Sequence, residues 1–301
     1  MGSAYRLQGI TAMAMAFGRR RAFEEPPSRL AIWSRRLAVF SLAVAVLAIV
    51  IEQADLLEIV PVLVTFGAAL VVAALAVLVA FAAFVALWQN GGAGCGQALT
   101  AAVIGVGLLA YPGYLGYQAY TLPAITDITT DPIDPPRFEV VARLRPPNST
   151  TYPGLATAEL QKETWPDIEP LIVSANSKTA YDSAMAIIAR RKWRVVDSRA
   201  PQPGRDGHIE AIARTPIMGL RDDVVVRIRA TREGTRVDLR SASRYGLTDF
   251  GANANRVLAL LDDIDDAAVE RSDQSERQAR TARQTKPAPK APTKPAQSAK
   301  R

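Results

Sequence analysis

The stretch LAVFSLAVAVLAIVI at 37–51 contains no charged side chain. As a helix rising ~1.5 Å per residue it covers roughly 22 Å, short of the ~30 Å hydrocarbon core of a bilayer. Leu30, Ala31, Ile32 and Trp33 extend it, because Arg35 and Arg36 can lay their stems along apolar surface and place their charged heads among lipid headgroups. A second apolar run from Ile59 to Trp88 exceeds the core thickness, which a tilt accommodates. A third, from Ala98 to Tyr120, closes in YPGYLGYQAY. Its Tyr111, Tyr114, Tyr117 and Tyr120 suit an interfacial aromatic belt, and Pro112-Gly113 predicts a kink or fraying there. The region 37–120 is therefore expected to be three transmembrane helices.

Small residues are dense in the second and third runs: Gly67, Ala68, Ala69, Ala73, Ala74 and Ala76, then Gly105 and Gly107. Either they let helices approach closely, or they reflect an alanine-rich composition. Orientation follows from the flanks. Arg19, Arg20, Arg21, Arg29, Arg35 and Arg36 precede the first run, whereas Glu52, Asp55 and Glu58 occupy the first loop with no Lys or Arg. The positive-inside rule puts the basic segment 1–36 in the cytoplasm. Three crossings then deliver the rest of the chain to the far side of a bacterial inner membrane, into the periplasm. Arg35-Arg36 before an apolar run also resembles a twin-arginine signal, but two more spans follow it.

The net charge of +7 divides unevenly. Residues 1–36 carry +5, residues 270–301 carry +6, and the remainder carries −4. The folded body is mildly acidic, so the basic total is no argument for nucleic-acid binding, and no nucleic-acid partner is expected. One cysteine, Cys95, excludes an intrachain disulfide and zinc-ribbon spacing, and the one histidine, His208, excludes multi-histidine metal sites. No metal and no cofactor is expected. No Ser/His/Asp order surrounds a nucleophile elbow, and His208 alone does not make a triad, so no catalytic residue is assigned.

Seven prolines between Leu122 and Pro153 predict an extended linker over 121–153, with a short strand at Phe138–Leu144. Beyond it lies a water-soluble α+β domain, 154–268. Ser177–Arg191 reads as a helix capped by Ser177, with Ala180, Tyr181, Ala184, Ile187 and Ile188 on one stripe. Four strands follow, at Trp193–Asp197, His208–Arg214, Asp223–Ala230 and Arg236–Ser243, then a last helix over Asp249–Asp266. That order predicts an antiparallel four-stranded sheet with two helices on one face. Alternation sends Ile209, Ala211, Ala213, Val224, Val226, Ile228, Val237 and Leu239 toward the helices. The other face holds Glu210, Arg214, Arg227, Arg229, Asp238 and Arg240. It is either a solvated salt-bridge lattice or a surface that reads phosphate or carboxylate. From Glu270 onward apolar residues other than alanine nearly vanish, and KPAPKAPTKPA at 286–296 predicts a disordered basic tail over 269–301.

The densest polar run joins the last strand to the last helix: Arg240, Ser241, Ser243 and Arg244, then Asp249, Asn253 and Arg256. Thr248 or Asp249 can cap the helix, and Arg244 and Arg256 are close enough in sequence to converge on an anion at its N-terminus. A purely structural junction fits the same residues. The candidate ligand-binding set is thus Arg214, Arg227, Arg240, Ser241, Ser243, Arg244, Asp249, Asn253 and Arg256. Asp222 and Asp223 are adjacent in a strand, point to opposite faces and make no acid/base pair.

The segments HIEAIARTP at 208–216, RDDVVVRIR at 221–229, VDLRSASR at 237–244 and DFGANANR at 249–256 resemble the domain-of-unknown-function family numbered 1499. The gapped pattern RSxSR…DxGxNxxR carries most of the resemblance, which spans about Pro136 to Asp266. The three-span N-terminal half looks like that of its alphaproteobacterial members. The family's cysteine-containing opening segment is not matched; RPPNST at 145–150 stands near its place, so no role of that cysteine carries over. The family implies a fold unit and no activity. From the anchored topology, the arginine-rich junction and the cationic tail, and not from the family, the chain is expected to be a non-enzymatic envelope protein anchored in the lipid bilayer, binding an anionic envelope polymer or lipid, or another membrane protein. The alternative is a membrane-bound enzyme using Arg244, Asp249 and Arg256 on a phosphorylated or acylated envelope substrate.

Overall fold

The computed structural model describes residues 28–145 and 149–284 and divides into two units, Met1–Tyr114 and Leu115–Arg301. The basic run at 19–21, Asn148 and the Lys/Pro run at 286–296 lie outside the described residues.

Three helices occupy the N-terminal half: α1 (Arg29–Gln53), α2 (Ile59–Asn90) and α3 (Cys95–Thr121), each long and apolar enough to cross a membrane. Helix α1 does begin before Leu37, at Arg29, with the Arg36 guanidinium 5.4 Å from the Trp33 ring. The packing is inverted relative to a water-soluble bundle. Most buried positions are small, among them Ala31 and Ala38 on α1, Ala76, Ala80 and Ala83 on α2, and Ala98 and Ala101 on α3. Large side chains such as Phe40, Leu47, Val64, Leu78 and Phe81 point outward, the arrangement lipid tails favour. A Cβ on Gly105 would collide with the Val77 side chain, so close approach of α3 to α2 requires glycine there. Ser34 and Ser41, buried on α1, donate to the carbonyls of Ala31 and Ala38 and leave no polar hydrogen unpartnered in the interior. Helix α3 continues through Pro112 to Thr121.

The second unit is built on a six-stranded sheet, where four strands were expected. Strands β3 (Arg194–Arg199), β4 (Gly207–Arg214), β5 (Arg221–Ala230) and β6 (Thr235–Ser243) form the predicted antiparallel meander. Two short strands add to the outer edge of β6: β1 (Asp127–Thr129) beside Arg240–Ala242, and β2 (Leu171–Val173) beside Thr235–Val237. Three-residue strands carry no readable alternation, which hides them from periodicity. Beyond β1, the side-chain amide of Gln161 on helix α4 (Leu155–Thr164) accepts from the Thr129 N–H and donates to its carbonyl, as a neighbouring strand would. The stretch 121–153 thus carries β1, and the strand expected at Phe138–Leu144 is instead a 3-10 turn over Val141–Leu144.

Helices α5 (Ser177–Arg190) and α6 (Ala252–Gln284) cover one face of the sheet. The cap of α5 is Asn176, whose side chain accepts from the Thr179 N–H at 2.9 Å, one residue ahead of the expected Ser177. The alternation holds: Ile209, Ala211, Val224, Val226, Ile228, Val237 and Leu239 pack against Ala184, Ile187 and Ile188 of α5 and Val257, Leu260 and Ile264 of α6. Each large side chain buried there contributes about 1.5–3 kcal/mol. Helix α6 runs on past the expected end at Asp266 to Gln284, through the first part of the stretch expected to be a tail. The sheet's second face is not open to water: Phe138 and Val141 pack on Val225 and Ala242, and Glu210, Asp223 and Asp238 beneath this cover are fully buried.

Candidate functional site

The predicted polar residues fall into three groups, because a strand sends successive side chains to opposite faces. On the helix side of the β6–α6 junction, Asp249 caps α6, its carboxylate accepting from the Gly251 and Asn253 N–H groups at 2.9 and 2.8 Å. Burial raises the Asp249 pKa against the pull of those two bonds. Phe250 and Gly251 enter the helix with φ of 54° and 76°. A Cβ on Gly251 would also stand 3.0 Å from the Leu122 side chain, so both backbone and space select glycine. Ser241 donates to the Asn253 Oδ1 at 2.7 Å, and the Asn253 Nδ2 donates to the Ser243 hydroxyl and to the Thr126 carbonyl. Arg256 donates to Ser241, to Asn253 and to Asp222. With the Ser243 N–H on the Thr126 carbonyl and the Asp249 N–H on the Ile125 carbonyl, these residues clamp segment 122–126, through which the chain leaves α3.

On the other face Arg244 makes a two-nitrogen ion pair with Asp223, which also takes Arg145 at 3.1 Å. Burial raises the Asp223 pKa, with Arg244 and Arg145 opposing it. The expected convergence of Arg244 and Arg256 does not occur: each takes one of the adjacent acids Asp223 and Asp222, which point to opposite faces of β5. Arg240 is the most enclosed. It pairs bidentately with Asp127 at 2.9 and 2.7 Å, donates to the carbonyls of Pro136 and Thr150, and lies between the Phe138 and Tyr152 rings at 4.8 and 5.5 Å. Burial raises the Asp127 pKa against the Arg240 contact, and burial beside that carboxylate raises the Tyr152 hydroxyl to about 12. Arg227 pairs with Asp238, its partner across β6, and with Asp131 and Asp134 from the covering segment. Glu210 does not pair with Arg227. It takes His208 at 2.9 Å and the N–H groups of Glu139, Val140 and Val141. Burial works to raise its pKa, but these four donors outweigh it and hold the carboxylate below its ordinary range.

The third group stands apart. Arg214, on the exposed end of β4, lines a hollow of about 150 Å³ with Arg191, Lys192, Trp193, Arg194, Ile212 and Arg221. Five of these seven residues are cationic, and among the described residues no carboxylate lines it. Asp263 pairs with the lining residue Arg191 and with Arg190, which hold its carboxyl below its ordinary range against the effect of burial. The Arg191 guanidinium sits 5.3 Å from the Trp193 ring. Arg191, Lys192, Trp193, Arg194 and Arg221 are absent from the ligand-binding set expected from the sequence. The signal was present as RRKWR at 190–194, but strand pairing was needed to bring it beside Arg214 and Arg221.

Among the described residues, the fold joins three helices long and apolar enough to cross a membrane to an α+β domain whose buried charges are paired internally. The family described as "Protein of unknown function (DUF1499)" matches residues 127–264, from the first residue of β1 to the last large core residue of α6 at its C-terminal boundary, Ile264. The match starts upstream of Pro136, where the sequence resemblance was placed, and so takes in the edge strand. No curated protein and no solved structure matches the chain.

Proposed function

We propose that this is a non-enzymatic envelope protein of the bacterial inner membrane, with its N-terminus cytoplasmic and its α+β domain periplasmic, which binds an anionic envelope component. The observation that carries this reading is the hollow around Arg214, where Arg191, Lys192, Arg194 and Arg221 meet with no acid in the lining. Guanidinium groups suit phosphate and carboxylate because their forked donors match two oxygens at once. Within the predicted set, Arg214 is the residue that lines this hollow. Arg227, Arg240, Ser241, Ser243, Arg244, Asp249, Asn253 and Arg256 shape and hold the domain, since each spends its donors or acceptors on internal partners. The enzyme alternative needs Arg244 and Arg256 at one reacting centre, and they lie on opposite faces of the sheet.

The test uses the full-length chain in nanodiscs of zwitterionic lipid, titrated with inorganic polyphosphate at increasing salt. Saturable, salt-sensitive binding is expected, weakened at least tenfold by the combined substitutions Lys192→Glu, Arg194→Glu and Arg214→Glu. Binding that the triple variant leaves unchanged, or none at low salt, would overturn the reading.

A further inference from the structure

We infer that the basic end of the sheet docks on the surface of the bilayer that the chain itself crosses, taking the phosphate of an anionic phospholipid headgroup. The inference rests on the anion-binding reading above and names its ligand. Three independent observations lead to it.

The first is connectivity. Strand β1 starts at Asp127, and α3 ends at Thr121. Six residue steps span at most roughly 20 Å of extended chain. Register then places the basic residues at that same sheet end. Asp127 lies opposite Ala242, Ala242 opposite Asp223, Asp223 opposite Ile212, and Ile212 opposite Arg194. Arg214 and Arg221 pair with each other two positions further out along their strands. The cationic hollow therefore lies at the end of the sheet where β1 begins, six residues in sequence after the last residue of α3.

The second is charge. Lys192, Arg194 and Arg214 are exposed, and the lining is cationic apart from Trp193 and Ile212. A cationic group close to an anionic lipid surface is drawn to it, and several together add.

The third is the loop that leaves this same end. The Arg244 N–H donates to the Arg221 carbonyl at 3.3 Å, and the chain then turns through 245–248. Tyr245 is 39% exposed and Leu247 89% exposed on this turn. An apolar side chain so exposed at the sheet end that carries Arg221 matches the way peripheral segments insert into the headgroup boundary while basic neighbours meet phosphate. The segment 122–126 is locked to the β6–α6 junction by hydrogen bonds to Ser243, Asp249 and Asn253. Tether, cations and apolar tip thus belong to one end of one rigid sheet.

The experiment places an environment-sensitive fluorophore on a Leu247→Cys variant of the full-length chain, with Cys95→Ser removing the native thiol. It is reconstituted in nanodiscs of phosphatidylcholine alone, or of phosphatidylcholine with phosphatidylglycerol. The expected result is a blue shift of the emission in the anionic discs, abolished by adding Lys192→Glu and Arg194→Glu, both exposed and so neutral to folding. A fluorophore that reports water in both lipid mixtures, or one that inserts equally well without the two cations, overturns the inference. Polyphosphate binding measured on the same samples separates the two failures. If it persists while the fluorophore stays in water, the anion-binding reading stands and lipid as its ligand falls; if both are lost, both readings fall.

Discussion

At the scale of single residues, the domain spends its arginines on itself. Arg240 shows what this costs and gives. Its charge is buried, and only the bidentate Asp127 contact, two carbonyls and two aromatic faces offset the loss of water. Arg240→Ala leaves Asp127 charged and enclosed without its partner, so a loss of about 3–5 kcal/mol of domain stability is expected, read as a lower midpoint in chemical denaturation in detergent. Glu210 gives a pH signature. Its folded pKa is lowered, so its contribution is present above the ordinary carboxylate range and is lost as pH falls through the lowered value. Asp127, Asp223 and Asp249 are raised by burial and work with the opposite sign. The comparison with Glu210→Gln isolates the one group: the wild-type melting temperature should drop more steeply below about pH 4.5 than that of the variant. Identical slopes would show that the carboxylate is not held by its four donors. These residues were visible in the sequence as a polar cluster, but their partners were not, because Asp127, Asp131 and Thr150 come from a segment whose prolines suggested an extended linker.

At the scale of elements, two kinds of pattern behaved differently. Strict alternation in β4, β5 and β6 made both faces of the central sheet legible, with Arg227 and Asp238 on the face away from the helices, where they pair. Elements of three residues, β1 and β2, have too few positions for any period to emerge, and they exist only because β6 has an edge to fill. The end of α6 was placed at Asp266 because its apolar stripe fades there, yet the backbone stays helical to Gln284 without it. In the membrane half close packing accounts for part of the small residues: Ala69, Ala73, Ala76 and Gly105 are buried, whereas Gly67 and Gly107 face open space. Gly105→Val should therefore weaken the contact of α2 with α3 by about 1–3 kcal/mol through overpacking. Gly107→Val, where a Cβ meets nothing, should be close to neutral. A denaturant titration in mild detergent, monitored by protease resistance of the spans, distinguishes the two variants.

At the scale of the whole molecule, an odd number of spans and the arginines ahead of the first of them predict on which side the domain emerges. Alkaline phosphatase fused after Arg301 should be active in intact cells, while a green fluorescent protein at the same place should stay dark; the reverse pattern would turn the molecule over. Copies held in one bilayer diffuse in two dimensions and collide far more often than the same domains would in solution. Under such crowding, a strand whose outward amide and carbonyl stand open invites a neighbour to zip onto it. By presenting its carboxamide to Thr129, Gln161 takes up that place within the chain. Along this flank each molecule carries its own stopper against lateral polymerisation, made from one uncharged side chain.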